Sequence, residues 1–65
     1  GGRPKTARVV VEENVFIGSN VTVLKGARIG RNSVIANGAV VTGRIPPNVI
    51  AAGMPARPIK RLNEV

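Results

Sequence analysis

Every sixth residue from position 11 to position 41 is aliphatic: Val11, Ile17, Val23, Ile29, Ile35 and Val41. Three places after each stand Asn14, Asn20, Gly26, Asn32, Gly38 and Arg44. A period of six fits neither the face of an α-helix nor the alternation of a flat strand. Asn and Gly tolerate positive φ better than other residues, so the chain can turn at the second series without a Cβ clash. The fifth place of each hexad holds Val15, Val21, Ala27, Ser33, Ala39 and Ile45, mostly small residues suited to the inside of a tight corner. One inward aliphatic and one turn per six residues predict a hexapeptide β-helix. A Val-rich β-sandwich with Asn-Gly hairpins is the competing reading, and it requires longer alternation and irregular turn spacing.

Three hexads make one triangular coil, so residues 11–28 and 29–46 form about two coils. Stacked coils pair as parallel strands roughly 4.8 Å apart. That stacking sets Val11 against Ile29, Ile17 against Ile35 and Val23 against Val41. The organisation expected is a loop over residues 1–10, coils over 11–46, and a closing strand with a basic tail over 47–65. The fold class is all-β. Sixty-five residues make at most one small domain. Repeat arrays need about three or more units, and open coil ends favour association. The chain is therefore expected to be a piece of a longer solenoid, to oligomerise, or both. Gly1 in place of an initiator Met favours a fragment or a processed chain.

Charge is the second strong feature. Ten Lys and Arg against three Asp and Glu leave +7, which favours a polyanionic partner. Arg3, Lys5 and Arg8 precede the repeat, Lys25, Arg28, Arg31 and Arg44 fall on its turns, and Arg57, Lys60 and Arg61 lie in the tail. On the turns a solvated basic surface is the preferred reading. The same holds for Glu12 and Glu13, the only acids of the repeat. Cysteine and histidine are absent, which removes disulfides, thiolate metal sites and the commonest metal ligand and general base. No metal site is expected. No apolar run reaches the length of a membrane span, and the default compartment is the cytoplasm. Phe16 is the only aromatic, so a nucleic-acid binder that stacks bases is disfavoured.

Four stretches carry a more specific likeness: Val15-Phe-Ile-Gly-Ser-Asn-Val, Ile29-Gly-Arg-Asn-Ser-Val-Ile, Val40-Val-Thr-Gly-Arg-Ile-Pro-Pro-Asn-Val and Ala52-Gly-Met-Pro-Ala-Arg-Pro-Ile-Lys. Over roughly residues 9–62 the chain resembles the C-terminal part of hexapeptide-repeat acyltransferases, nearest in pattern to maltose, galactoside and related sugar O-acetyltransferases. The closing segment is the specific part, since the hexads alone also suit nucleotidyltransferases and γ-type carbonic anhydrases. The last of these needs zinc-binding histidines and is excluded. The resemblance implies a left-handed parallel β-helix, against the usual right-handed crossover rule. It also implies a homotrimer, acetyl-CoA as co-substrate in the groove between subunits, and a sugar-like small-molecule acceptor.

By the same resemblance, Ser19 matches a contact near the thioester end of acetyl-CoA. Asn37 stands where similar enzymes usually have Ala, with its backbone toward the pantetheine arm. Thr42 matches a contact further along the cofactor, and the Lys that often follows is Gly43 here. Arg57 and Lys60 match two basic tail positions that approach the CoA phosphates, with Pro58 between them in place of a usual aliphatic. Residue chemistry supports the tail pair independently. CoA carries a diphosphate and a 3′-phosphate, and two cations three residues apart on a Pro-bounded segment suit that target.

Acyl transfer from a thioester needs a base for the attacking acceptor, and such enzymes use a histidine. This chain has none, so no catalytic residue is assigned within it. The expectation is a CoA-binding C-terminal portion with little or no turnover alone. The alternative is a non-catalytic β-helical trimerisation module.

Overall fold

The computed structural model describes residues 8–62. The expected loop over residues 1–10 therefore falls largely outside the described residues, as do Arg3, Lys5 and residues 63–65. Short strands follow one another at the repeat spacing: β1 (Val10–Val11), β2 (Phe16–Ile17), β3 (Thr22–Val23), β4 (Arg28–Ile29), β5 (Val34–Ile35) and β6 (Val40–Val41), with β7 (Arg44–Ile45) following at a shorter interval. Two longer strands follow, β8 (Val49–Gly53) and β9 (Ala56–Arg61). They build three sheets, ordered β1-β4-β7, β2-β5-β8-β9 and β3-β6. All pairings are parallel except β8 with β9. Val11 pairs with Ile29, Ile17 with Ile35 and Val23 with Val41, the register the hexads predict. The chain thus winds through three faces and three corners per coil.

The corners work as the Asn/Gly series requires. Asn14, Asn20 and Asn32 have φ of 59°, 59° and 64°, and Gly26 and Gly38 have 82° and 75°. At the first corner, between the first and second sheets, Asn14 Nδ2 donates to Asn32 Oδ1 (2.8 Å) and Asn32 Nδ2 donates to Asn48 Oδ1 (3.0 Å). One side chain per coil thereby ties successive turns together, as in other stacked Asn ladders.

The sixth hexad departs from the pattern. Arg44 and Ile45 form β7 and pair with Arg28 and Ile29, so Arg44 is a strand residue and Ile45 an inward aliphatic of the first sheet. The corner after Val41 consists of Thr42 and Gly43 alone. The turn pair is missing, and the coil offset falls from eighteen residues to sixteen. The turn role that the hexad count gave to Arg44 is lost with that pair, and Asn48, at φ 61°, is the next turn residue, stacked over Asn32 at the first corner.

The core runs up the solenoid axis through Ile29, Ile35, Val41, Ile45 and Ala51, with Ala27, Ala39 and Val49 at the corners. Ser33 is the only buried polar side chain among the described residues. Its hydroxyl donates to the Pro46 carbonyl (2.8 Å) and accepts from the Val49 N–H (3.1 Å). Val11 and Ile17 are 44% and 39% exposed, whereas their partners Ile29 and Ile35 are fully buried. Gly18 and Gly30 allow the next coil to lie close. A Cβ on Gly30 would sit 2.4 Å from the Pro47 nitrogen, and one on Gly18 would sit 2.2 Å from Asn37 Oδ1.

Candidate functional site

Ser19 and Asn37 stack at the second corner, between the second and third sheets. The Ser19 N–H donates to Asn37 Oδ1 (2.9 Å) and the Ser19 carbonyl accepts from the Gly38 N–H (2.9 Å). The Asn37 side chain lies over Gly18, where no Cβ intervenes. Asn in place of Ala at this position therefore has a structural use: it occupies the Ser19 amide. Both side chains are exposed.

Arg57 reaches the same corner from above. In the β8-β9 hairpin Arg57 pairs with Ala52, and Ala52 continues the column above Ala36, whose N–H donates to the Ala51 carbonyl (2.9 Å). Lys60 pairs with Ile50, further along β9 and away from the corner. Both cations are exposed. Ser19, Asn37 and Arg57 thus line one edge of the solenoid, with Lys60 on the adjoining strand. Thr42 does not join them. It lies at the third corner, after β6, across the third sheet from Ser19 and Asn37.

A second polar grouping lies at the first corner, among residues expected to be a solvated turn surface; Arg28 stands instead in β4 and is ion-paired. Glu12 is half-buried. Its Oε2 accepts from Arg28 Nε (3.3 Å) and Nη2 (3.0 Å), and its Oε1 accepts from the Arg31 backbone N–H (2.9 Å). The Arg28 hydrogen bond, followed by that from the Arg31 amide, holds the Glu12 carboxyl below its ordinary range, against a smaller opposing effect of desolvation. The eighteen-residue offset was the available signal, since it places Glu12 beside Gly30 and Arg31.

Among the described residues no helix is long and apolar enough to cross a membrane, and no group of three or more His, Cys, Asp or Glu is placed to hold a metal ion.

The family model described as bacterial transferase hexapeptide (six repeats) matches residues 8–43. The 2,3,4,5-tetrahydropyridine-2,6-dicarboxylate N-acetyltransferase of Staphylococcus aureus is 40% identical over 62 residues, covering 95% of this chain and 26% of that protein. The chain thus spans about a quarter of the length of the curated relatives it matches. Among solved structures, a hexapeptide-repeat acetyltransferase of Vibrio cholerae complexed with acetyl coenzyme A superposes with a TM-score of 0.86 at 38% identity, over 89% of this chain and 32% of that one. A galactoside acetyltransferase in complex with coenzyme A gives 0.83 at 51% identity, over 85% and 28%. A maltose O-acetyltransferase of Clostridium difficile gives 0.87 at 46% identity, over 89% and 31%.

Proposed function

This chain belongs to the bacterial transferase hexapeptide family, and on that premise we propose that it is the CoA-binding part of an acetyl-CoA-dependent acetyltransferase. The observation that carries the reading is the likeness, over these same coils, to solved acetyltransferases holding acetyl-CoA or CoA. In this reading the coils wind left-handed and three subunits associate in the cytoplasm. Acetyl-CoA lies between neighbours, which resolves the separation of Thr42: one subunit offers Ser19 and Asn37 and another offers Thr42. An apolar row on the outer face of the second sheet supports self-association. Phe16, Val34 and Ile50 stack there in register, and Phe16 is 66% exposed.

Arg57 and Lys60 would meet the cofactor's phosphates, Arg with a planar fork and Lys as a point charge. Acetyl-CoA supplies an activated acyl group as its thioester; the chain's own residues bind and orient it. None of them is a suitable base. Glu12 is held in its charged form by Arg28 and the Arg31 amide, which weakens it as a proton acceptor near neutral pH. Histidine is absent, so the base and the acceptor pocket come from residues outside these 65, and the chain alone is expected not to turn over. A sugar or similar small acceptor accords with the likeness to galactoside and maltose acetyltransferases, and the choice between a hydroxyl and an amine is made by that outside pocket.

The test is isothermal calorimetry with acetyl-CoA. Saturable binding that weakens by about tenfold or more in R57Q/K60Q, as loss of charge-assisted hydrogen bonds implies, supports the reading. Absent binding, or binding indifferent to that double substitution, contradicts it.

A further inference from the structure

Three basic residues, Arg28, Arg31 and Arg44, gather around one cavity. Outward positions of the first sheet carry Val10, then Arg28, then Arg44 in register. Arg31 follows β4 at the first corner. Arg28 and Arg44 are strand partners, so two like charges project from backbones roughly 4.8 Å apart, an arrangement that is destabilising without a counter-charge. Glu12 answers only one of them. Its Oε2 is taken by Arg28 and its Oε1 by the Arg31 amide. Arg28–Glu12 is the only ion pair among the described residues. Arg31 and Arg44, both exposed, line a cavity of about 100 Å³ together with Arg28, Glu12, Gly30, Ile45 and Pro47, and no acid among the described residues pairs with either. This cavity shares Arg31 and Pro47 with a wider cleft of about 620 Å³, on whose rim Arg61 stands.

We propose that the first corner is a binding site for a phosphate group. Arg31 and Arg44 grip it, each able to present two parallel N–H donors. Arg28 is held as a fixed wall by Glu12, and the pair adds little net charge because each offsets the other. Two unpaired cations match a doubly charged anion better than a singly charged carboxylate. The floor is rigid, since Gly30 lets the Pro46-Pro47 backbone lie directly on the coil below. The small cavity suits one phosphate, and the wider cleft with Arg61 has room for the group that bears it. Arg57 and Ser19, which belong to the second corner, take no part, so this inference stands apart from the cofactor reading above.

The experiment is a chemical-shift titration of the ¹⁵N-labelled chain at low ionic strength, with inorganic pyrophosphate and, separately, acetyl-CoA. Pyrophosphate is expected to give saturable shifts centred on the amides of Gly30, Arg31, Arg44 and Ile45. R31Q/R44Q should weaken it by about tenfold or more, while K25Q, which removes one distant charge, should leave it within about twofold. If acetyl-CoA moves the same amides and is weakened by R31Q/R44Q, the phosphate is the cofactor's own. If only pyrophosphate does so, the ligand is another phosphorylated molecule. Shifts spread evenly over all basic residues, no saturation, or equal binding by R31Q/R44Q overturns the proposal. Should that variant unfold, the map of the unsubstituted chain decides alone. Loss of the Arg57–Lys60 reading would leave the pyrophosphate result unchanged, so the two can fail separately.

Discussion

Replacing Gly30 with alanine asks the third coil to make room for one methyl group. The added Cβ would lie 2.4 Å from the Pro47 nitrogen and 2.8 Å from both the Pro46 carbonyl carbon and the Pro47 Cα. All three are backbone atoms of a Pro-Pro segment, which cannot rotate aside as a side chain can. Relief requires the first corner to lift, straining the Gly30 N–H bond to the Ile45 carbonyl (2.8 Å) and the Ser33–Pro46 bond. Overpacking of this kind costs about 1–3 kcal/mol, against a gain of only about 0.4–1 kcal/mol from the stiffer unfolded chain. Gly43 supplies the control. Its Cβ would meet nothing within 4 Å, and its φ is not left-handed, so G43A is expected to be neutral or stabilising by about 0.4–1 kcal/mol. In thermal unfolding at fixed protein concentration, each kcal/mol is worth about 4–8 °C in a domain of this size. A lower Tm for G30A with an unchanged or higher Tm for G43A is expected. Equal losses for both, or no loss for G30A, would refute the close-packed corner.

Three further outcomes follow from the same contacts. Ser33→Ala leaves the Val49 N–H buried without its acceptor and should lower stability by about 1–3 kcal/mol in denaturant unfolding; Ser33→Thr, which keeps the hydroxyl, should recover part of that loss if the corner admits a methyl. Asn32→Gly keeps the φ of 64° available but removes both ladder bonds, and should cost about 1–2 kcal/mol, whereas Asn32→Ala should cost more by adding about 1–2 kcal/mol for a left-handed conformation. The Glu12 carboxyl is lowered in the folded chain from its ordinary value of 4.5. Its contribution to stability is therefore fully present above that value and is lost as pH falls through the lowered one. Glu12→Gln should flatten the acid limb of the Tm–pH curve below about pH 4.5, with no change in slope between pH 6 and 8.

Hexad spacing made the coils legible because each coil is a local device. An inward aliphatic, a positive-φ residue and a small corner residue recur, and the partner strand lies one coil away. Val11–Ile29, Ile17–Ile35 and Val23–Val41 could thus be paired from numbers alone. The sixth hexad was not legible. Whether Arg44 stands in a turn or in a strand depends on a corner shortened to Thr42-Gly43, and composition does not signal a missing turn pair. Asn48 aligns with Asn14 and Asn32 only after that slip, so the hexad count does not mark it as a turn residue. Site residues were legible in part. Ser19 and Asn37 meet, but the role of the Asn37 side chain on the Ser19 amide needed coordinates. The Glu12–Arg28–Arg31 contact was computable from the coil offset, yet exposed charges on turns usually signify nothing more than solvation.

The most direct measurement for the central claim is solution mass by light scattering with and without acetyl-CoA, paired with a melting curve of each sample. A trimer whose Tm rises with acetyl-CoA concentration, and rises less in R57Q/K60Q, is the predicted result. A species of any size whose mass and Tm are indifferent to saturating acetyl-CoA would contradict the claim that these coils form a cofactor-binding surface.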